Sequence, residues 1–421
     1  MNRLLRNVVL IVAFSAAAVL ALVQFLLRGA APPTRARSIE EQKQSADQVN
    51  VKRWIFRIAT FLLVAAFGGF LFVTSGIMPI KASSGHWAIT AWFLNFAMRR
   101  SVVTHSLGMK APKLDDPGLV VKGARHYEFG CRPCHGGPHL PQPVIAGQMT
   151  PHPPHLPPEI PKWQADELFY IVKHGVKFTG MPAWPAQQRD DEVWAVVAFL
   201  LKLPNLTAEE YQKLARSLKT TATTIVDLSE SKKAPRVVSE NCARCHVVDD
   251  GDRELSVFPI LAGQRPTYLF ASLLAFARGK RHSGIMEPIA ASLSAEDMRE
   301  IALYYAKLPR SSSSRARKEV TPAIERGREI AMRGIPRQRV PACVACHGPS
   351  DLPRNPIYPE LAGQYSEYLA LQLALFKNES RGGTPYAHLM RAVASRLTSE
   401  QMRDVTLYYA SLTPAVDFPA R

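Results

Sequence analysis

All six cysteines of this 421-residue chain fall in three copies of one pentad, and no other feature restricts the fold as tightly. The copies are Cys131-Arg132-Pro133-Cys134-His135, Cys242-Ala243-Arg244-Cys245-His246 and Cys343-Val344-Ala345-Cys346-His347. In a helical turn this spacing brings both thiols and the imidazole to one local surface. No cysteine remains for a separate disulfide framework, so whatever the chain builds must be built around these three turns.

Two thiols held in this way add to the vinyl groups of a haem, and the adjacent histidine reaches the iron on the near face. The pentad is therefore the attachment signature of c-type haem. One copy could serve as a redox dithiol or a zinc half-site, but zinc ribbons need paired Cys-x-x-Cys units, and three is an awkward number. The pattern predicts three covalently bound haem c groups, held by Cys131 and Cys134, Cys242 and Cys245, and Cys343 and Cys346, with His135, His246 and His347 as axial ligands. Covalent attachment takes place outside the cytoplasmic membrane, so export is implied.

The sixth iron position separates a carrier from a catalyst: methionine there raises the potential and closes the site, whereas an open position admits substrate. Met181 in Thr179-Gly-Met-Pro-Ala-Trp184, Met286 in Gly284-Ile-Met-Glu-Pro288 and Met390 in His388-Leu-Met-Arg391 lie 46, 40 and 43 residues past their histidines. All three read as loop residues and are the predicted far-side ligands. Met298 and Met402 lie on apolar helical stripes and read as core filler. Met149, 14 residues past His135, competes with Met181. A ligand histidine also needs its second ring nitrogen held. Pro259 and Pro359 are the candidate carbonyls for the second and third pentads, while Pro141, Pro143 and Pro151 compete for the first. His86 and His105 read as ordinary surface or interface residues.

Two apolar runs precede the pentads. Residues 8–27 carry only Ser15 and Gln24 as polar interruptions, and residues 58–77 carry no charge. Either run, as a helix, spans roughly 30 Å, the thickness of a bilayer core. Between them lie Arg28, Arg35, Arg37, Lys43, Lys52 and Arg53, which place the loop in the cytoplasm and the pentads outside. A cleaved signal peptide for the first run, or a start near Val51, are competing readings. The segment 85–100, with Trp87, Trp92, Phe93 and Phe96, reads as an amphipathic helix on the membrane surface or against the first soluble unit.

Polar stretches at 217–234 and 311–318 read as linkers. The resulting division is a first transmembrane helix 1–30, a cytoplasmic loop 31–53, a second transmembrane helix 54–78 and a juxtamembrane segment 79–112. Three units follow, 113–216, 225–310 and 318–421. The last two repeat: Phe258-Pro-Ile-Leu-Ala-Gly-Gln264 recurs as Tyr358-Pro-Glu-Leu-Ala-Gly-Gln364, and Leu303-Tyr-Tyr-Ala306 as Leu407-Tyr-Tyr-Ala410. Each unit closes on an amphipathic helix marked by i, i+3, i+4, i+7 apolar positions. These are Val193, Val196, Val197 and Leu200; Met298, Ile301, Ala302 and Tyr305; and Met402, Val405, Thr406 and Tyr409. The third starts near Thr398 without a strict capping box. The formal charge of +17 is spread along the chain, which gives no nucleic-acid-binding block and leaves acidic partner proteins, anionic lipid or a merely solvated surface as readings.

On these motifs, each unit resembles a class I cytochrome c, and the last two together resemble the periplasmic dihaem cytochromes c of bacteria. The resemblance covers about residues 113–421. It implies an all-α fold: two N-terminal transmembrane helices, then three tandem class I cytochrome c domains, each wrapping a haem with crossing N- and C-terminal helices. It also places the Pro-x-Leu-Ala-Gly-Gln segments beneath the haem. Gly123 and Tyr127 fit the family's first helix, but the second unit lacks the glycine and the third inserts 334–341 before Cys343. The implied function is electron transfer at the periplasmic face of the inner membrane. Its partners would be a dehydrogenase or quinol-oxidising complex on one side and a terminal oxidase or soluble cytochrome on the other. A haem enzyme with one open iron, or a subunit that only tethers a larger oxidase, are the rival expectations.

Overall fold

The computed structural model describes residues 39–77, 80–215, 236–246, 257–309, 320–349 and 354–414, and the chain divides into two compact units at Ile80. The first apolar run, 8–27, and both expected linkers lie outside the described residues. In the first unit, helix α1 (Ile39–Thr74) carries the second apolar run. Its stretch Arg53–Thr74, 22 residues of mean hydropathy 2.1, has none of its apolar window buried. At 1.5 Å per residue that is roughly 33 Å, long enough to cross a bilayer. Thr60 and Thr74 return their hydroxyls to the carbonyls of Phe56 and Phe70, each at 2.9 Å, so neither presents a free donor to apolar surroundings. The helix begins at Ile39, inside the segment expected to be a loop. That stretch has neither glycine nor proline and is rich in Glu, Gln and Lys, which sustain a helix. Among the described residues this is the one helix long and apolar enough to span.

The second unit is helical throughout its described residues, with isolated bridges and no strand. Three apolar clusters sit beside the three pentads, reaching Cys131, Cys242 and Cys343 respectively. In the first, α2 (Ala88–Ser106) packs on α4 (Ala165–His174), and α3 (Pro117–Gly130) crosses α5 (Asp190–Lys202). α3 starts where Asp116 accepts the Leu119 amide at 2.8 Å and Pro117 supplies a first-turn residue with no amide to satisfy. The crossing depends on Gly123, because a Cβ there would lie 1.9 Å from the Ala195 carbonyl oxygen. The stripe of α5 is buried as expected: Val193, Val196, Val197 and Leu200 are at most 3% exposed.

α6 (Ala208–Ala215) packs on α3; in the second cluster α7 (Pro266–Ala277) packs on α9 (Ala295–Lys307), and in the third α13 (Ser399–Ser411) crosses α10 (Pro322–Arg333) and packs on α11 (Ser366–Lys377). Gly327 repeats the Gly123 device against the Asp404 carbonyl. Before Cys242 the described residues hold only a short turn, Val238–Cys242, where the family's first helix was least legible. The 334–341 insertion closes on itself through Ile335 and Val340, whose amides and carbonyls pair at 2.8 and 3.1 Å. α13 does form a strict capping box: Thr398 and Gln401 exchange side-chain and backbone bonds at 2.9 and 3.2 Å. A glutamine at the third helical position serves as well as the acid.

The repeated Leu-Ala-Gly-Gln segments owe their composition to the junction they make. Gly263 and Gly363 adopt positive φ, which lets their amides reach the closing-helix carbonyls of Tyr305 and Tyr409 at 3.0 and 2.9 Å. The glutamines then point across. Gln264 takes the amide and carbonyl of Glu360 at 2.9 and 3.0 Å, and Gln364 takes those of Ile260 at 3.1 and 3.0 Å. The junction between the first and second clusters is different and rests on a buried carboxylate. Glu192 accepts from Ser283 Oγ at 2.8 Å and the Gly284 amide at 2.7 Å and pairs with Arg189 at 3.0 Å. Arg189 itself donates to the His282 carbonyl at 2.6 Å.

Two outcomes follow from this packing. Gly123→Ala loses about 1–3 kcal/mol by forcing α3 from α5, more than the roughly 1 kcal/mol that alanine gains in an exposed helix, and urea unfolding reads the difference. Burial alone would raise the Asp191 carboxyl, but the Arg189 hydrogen bond and the Lys122 and Arg189 charges outweigh it and hold it well below its usual range. A depressed folded value stabilises above the unfolded value of about 3.9 and is lost as pH falls below it. The melting temperature of the wild type therefore drops below about pH 4 with a steeper acid limb than that of Asp191→Asn.

Candidate functional site

Each pentad folds as one helical turn in which the histidine amide bonds back to the first cysteine's carbonyl at 2.9 Å. That turn sets the thiols and imidazole together, and no two of the six cysteines form a disulfide. Burial pushes the Cys131 thiol up to about 12 and those of Cys242 and Cys343 up to about 11. Exchange dithiols need the opposite shift, toward thiolate. Among the described residues no group of three or more His, Cys, Asp or Glu side chains is placed to hold a metal ion.

The histidines are held as ligands. His246 Nδ1 lies 3.1 Å from the Pro259 carbonyl and His347 Nδ1 lies 3.0 Å from that of Pro359, as the spacing predicted. A carbonyl oxygen can only accept, so Nδ1 carries the proton and Nε2 keeps its lone pair for iron. Burial keeps the rings neutral, lowering His246 to about 4 and depressing His135 and His347. For the first pentad none of the three candidate prolines serves. His135 Nδ1 bonds the Pro154 carbonyl at 2.9 Å. Pro143-Val-Ile-Ala-Gly-Gln148 spells nearly the same segment as the two repeats, yet Val144 and Ile145 are over 80% exposed, and the longer proline-rich loop brings Pro154 under the ring instead.

Gln142 is the residue that sequence reasoning missed. Its amide donates to the Cys134 carbonyl at 3.1 Å and the Pro153 carbonyl at 2.8 Å, tying the pentad to the strand of chain that carries Pro154. A lone glutamine among prolines offers no signal of that role.

The methionines divide. Met181 lies in its loop, with its amide on Thr179 Oγ1 at 3.1 Å. Met286 instead opens α8 (Met286–Ala291), and Met390 falls inside α12 (Ala387–Ala394), so two of the three are helical rather than loop residues. Met286 lines a cavity together with Cys242, Cys245 and His246. Met390 packs beside Val340, Phe376 and Met402. Met149 is brought to the Met181 loop, its methyl 1.9 Å from where a Cβ on Gly180 would stand, so the thioether end of Met149 lies directly on the Gly180 backbone. Met298 and Met402 are 3% and 6% exposed in the core, as expected of filler.

The cavity beside the second pentad also tests the fit of a porphyrin. Its wall includes Arg281 and Arg381, both buried, with Arg281 on Tyr368 Oη at 3.1 Å and Arg381 on Tyr268 Oη at 2.9 Å. Burial and then the Arg281 charge hold the Arg381 guanidinium below its ordinary value. Two facing buried cations call for an anion. Arg381 Nε in the same wall has no partner among the described residues. A haem supplies that charge in its propionates and that apolar bulk in its ring, so these residues fit the group. Cys242, Cys245 and His246 would hold it, and once bound it supplies one-electron chemistry.

Pinned histidines beside paired cysteines on helical scaffolds define a c-type cytochrome. The comparisons agree. Residues 118–200 match the model of cytochrome c oxidase, cbb3-type, subunit III, and residues 324–413 match that of cytochrome c. The chain is similar to the thiosulfate dehydrogenase electron acceptor of Thiomonas intermedia, 34% identical over 41% of this chain and 78% of that one. It is similar also to cytochrome c4 of Thiocapsa roseopersicina, 30% identical over 41% of this chain and 87% of that one. The solved cytochrome c4 of Acidithiobacillus ferrooxidans is 31% identical, covering 41% of this chain and 99% of its own, with a TM-score of 0.35. The chain belongs to the cytochrome c family, and its function is electron transfer through covalently bound haem c.

Gln142→Ala leaves two backbone carbonyls without their donor and lowers the stability of the holoprotein by about 1–3 kcal/mol in urea titration.

Proposed function

We propose that the chain is a membrane-anchored cytochrome c with three haems in three tandem class I domains, 113–216, 225–310 and 318–421, facing the periplasm from the inner membrane. It takes electrons from a dehydrogenase or quinol-oxidising complex and passes them to a terminal oxidase or soluble cytochrome. The observation that carries this reading is that all three pentad histidines have Nδ1 on a proline carbonyl, within one compact unit, Lys81–Arg421. Met181, Met286 and Met390 close the far sides of the irons. A relative whose name makes it the acceptor for a thiosulfate dehydrogenase supports a dehydrogenase as the donor.

Arg53–Thr74 serves as a transmembrane anchor, with residues 8–27 as a further span and the basic stretch between them in the cytoplasm. α2 supports the membrane assignment. Ile89, Trp92, Phe93 and Phe96 stand at i, i+3, i+4, i+7 and are all more than half exposed, whereas Val102 and Ser106 turn inward. An apolar aromatic stripe with Arg99 and Arg100 following it suits the interface between lipid headgroups and acyl chains.

Denatured protein from native membranes retains three porphyrins by mass. Its oxidised spectrum shows the near-infrared sulfur-to-iron band, which weakens when Met181, Met286 or Met390 is replaced singly by alanine. A count below three removes the three-haem reading, and a native high-spin site that binds carbon monoxide turns the assignment toward a haem enzyme.

A further inference from the structure

We propose that Trp184 is the crossing point for electrons between the first and second haem sites, an inference that rests on the three-haem reading above. Trp184 stands three residues past Met181 in the same loop and is 8% exposed. Its indole Nε1 donates to Glu192 Oε2 at 3.2 Å. The same carboxylate takes the Gly284 amide and the Ser283 hydroxyl, so one buried acid fastens the Met181 loop to the segment leading into Met286. The contact is close: a Cβ on Gly284 would sit 2.2 Å from the indole nitrogen, which leaves only glycine able to lie against the ring.

A run of aromatic rings also leads from the indole to the pentad side of the second site. The His126 ring is 5.9 Å from that of Trp184, Phe258 is 6.1 Å from His126, and Phe258 stands edge-on to His246 at 6.3 Å. His126 is 3% exposed and its Nδ1 has no partner among the described residues. Burial, reinforced by the Lys122 and Arg189 charges, keeps the ring neutral, so it adds no fixed cation to the route. Trp184 thus touches both approaches to the second iron, through Gly284 toward Met286 and through His126 and Phe258 toward His246. Electron tunnelling decays steeply across empty or water-filled gaps and less through atoms in contact, and this junction is filled by rings in tilted or edge-on contact. The corresponding residue of the repeat is used otherwise: Tyr358 stands 6.1 Å from His347 but 5.7 Å from Tyr386, which is 44% exposed, so its contacts lead outward.

The test uses the full-length holoprotein in detergent, photoreduced at a single site, with the rate of haem-to-haem equilibration followed optically. Potentials come from spectroelectrochemistry and haem content from mass. Trp184→Leu slows the equilibration severalfold while the three midpoint potentials stay within error of the wild type, and Trp184→Phe, which keeps a ring, recovers most of the rate. Equilibration at the wild-type rate in Trp184→Leu overturns the proposal, as does a loss that Trp184→Phe does not relieve. Should Trp184→Leu fail to load haem, Phe258→Leu and His126→Leu keep the loop's hydrogen bonds and probe the same junction. Slowing in either supports the crossing, and wild-type rates in both overturn it. Three haems with unchanged equilibration sink only the crossing, whereas a haem count below three in the wild type sinks the reading beneath it.

Discussion

The hydrogen bond from each pentad histidine to a proline carbonyl is the interaction on which the rest of the molecule turns. It fixes the tautomer that leaves Nε2 free, orients the ring over the space beside the two thiols, and ties the helical turn of the pentad to a loop that arrives from well along the chain. That loop must be rigid and must offer a carbonyl without a competing amide, which proline satisfies on both counts. The helices then have one task in common, to hold pentad and loop at fixed separation. Close crossings at Gly123 and Gly327 do so, where backbone meets backbone.

The two junctions of the second unit solve different problems. Between the second and third pentads the chain repeats, and the joint is nearly symmetric: glutamine to backbone in both directions, and arginine to tyrosine in both directions. A duplicated segment meeting its copy naturally makes such reciprocal bonds. Between the first and second pentads no repeat is available. A single buried carboxylate, Glu192, gathers an indole, a hydroxyl, a backbone amide and a guanidinium from both sides. Removing one partner of such a buried set leaves the others unmatched, so the joint is specific as well as firm.

The helical stripes were legible because amphipathic periodicity is a local property: every position assigned to the apolar faces of α5, α9 and α13 is buried. The carbonyls of Pro259 and Pro359 were legible because the repeats share one short loop. The first loop was not. Its Pro143-to-Gln148 segment imitates the repeats, but the extra residues that follow move the useful carbonyl to Pro154, and Gln142 secures that detour through bonds no spacing rule anticipates. The loop assignment of Met286 and Met390 failed for a similar reason. Helix ends are decided by caps and by packing, and α8 and α12 are short helices that enclose both methionines where the sequence reads as loop.

By itself the sequence determined the chemistry: six thiols and three histidines in pentads allow one class of cofactor, and the apolar run before them is, as a helix, long enough to cross a bilayer. Those are statements about residues adjacent in the chain, where covalent spacing leaves little freedom. Tertiary structure alone decided which carbonyl steadies His135, how Gln264 and Gln364 cross to each other's backbone, and that Trp184, His126 and Phe258 come together. Their separations run from 19 residues, between His135 and Pro154, to 132, between His126 and Phe258, and contacts of that kind follow from how the helices and loops pack, which local pattern does not encode.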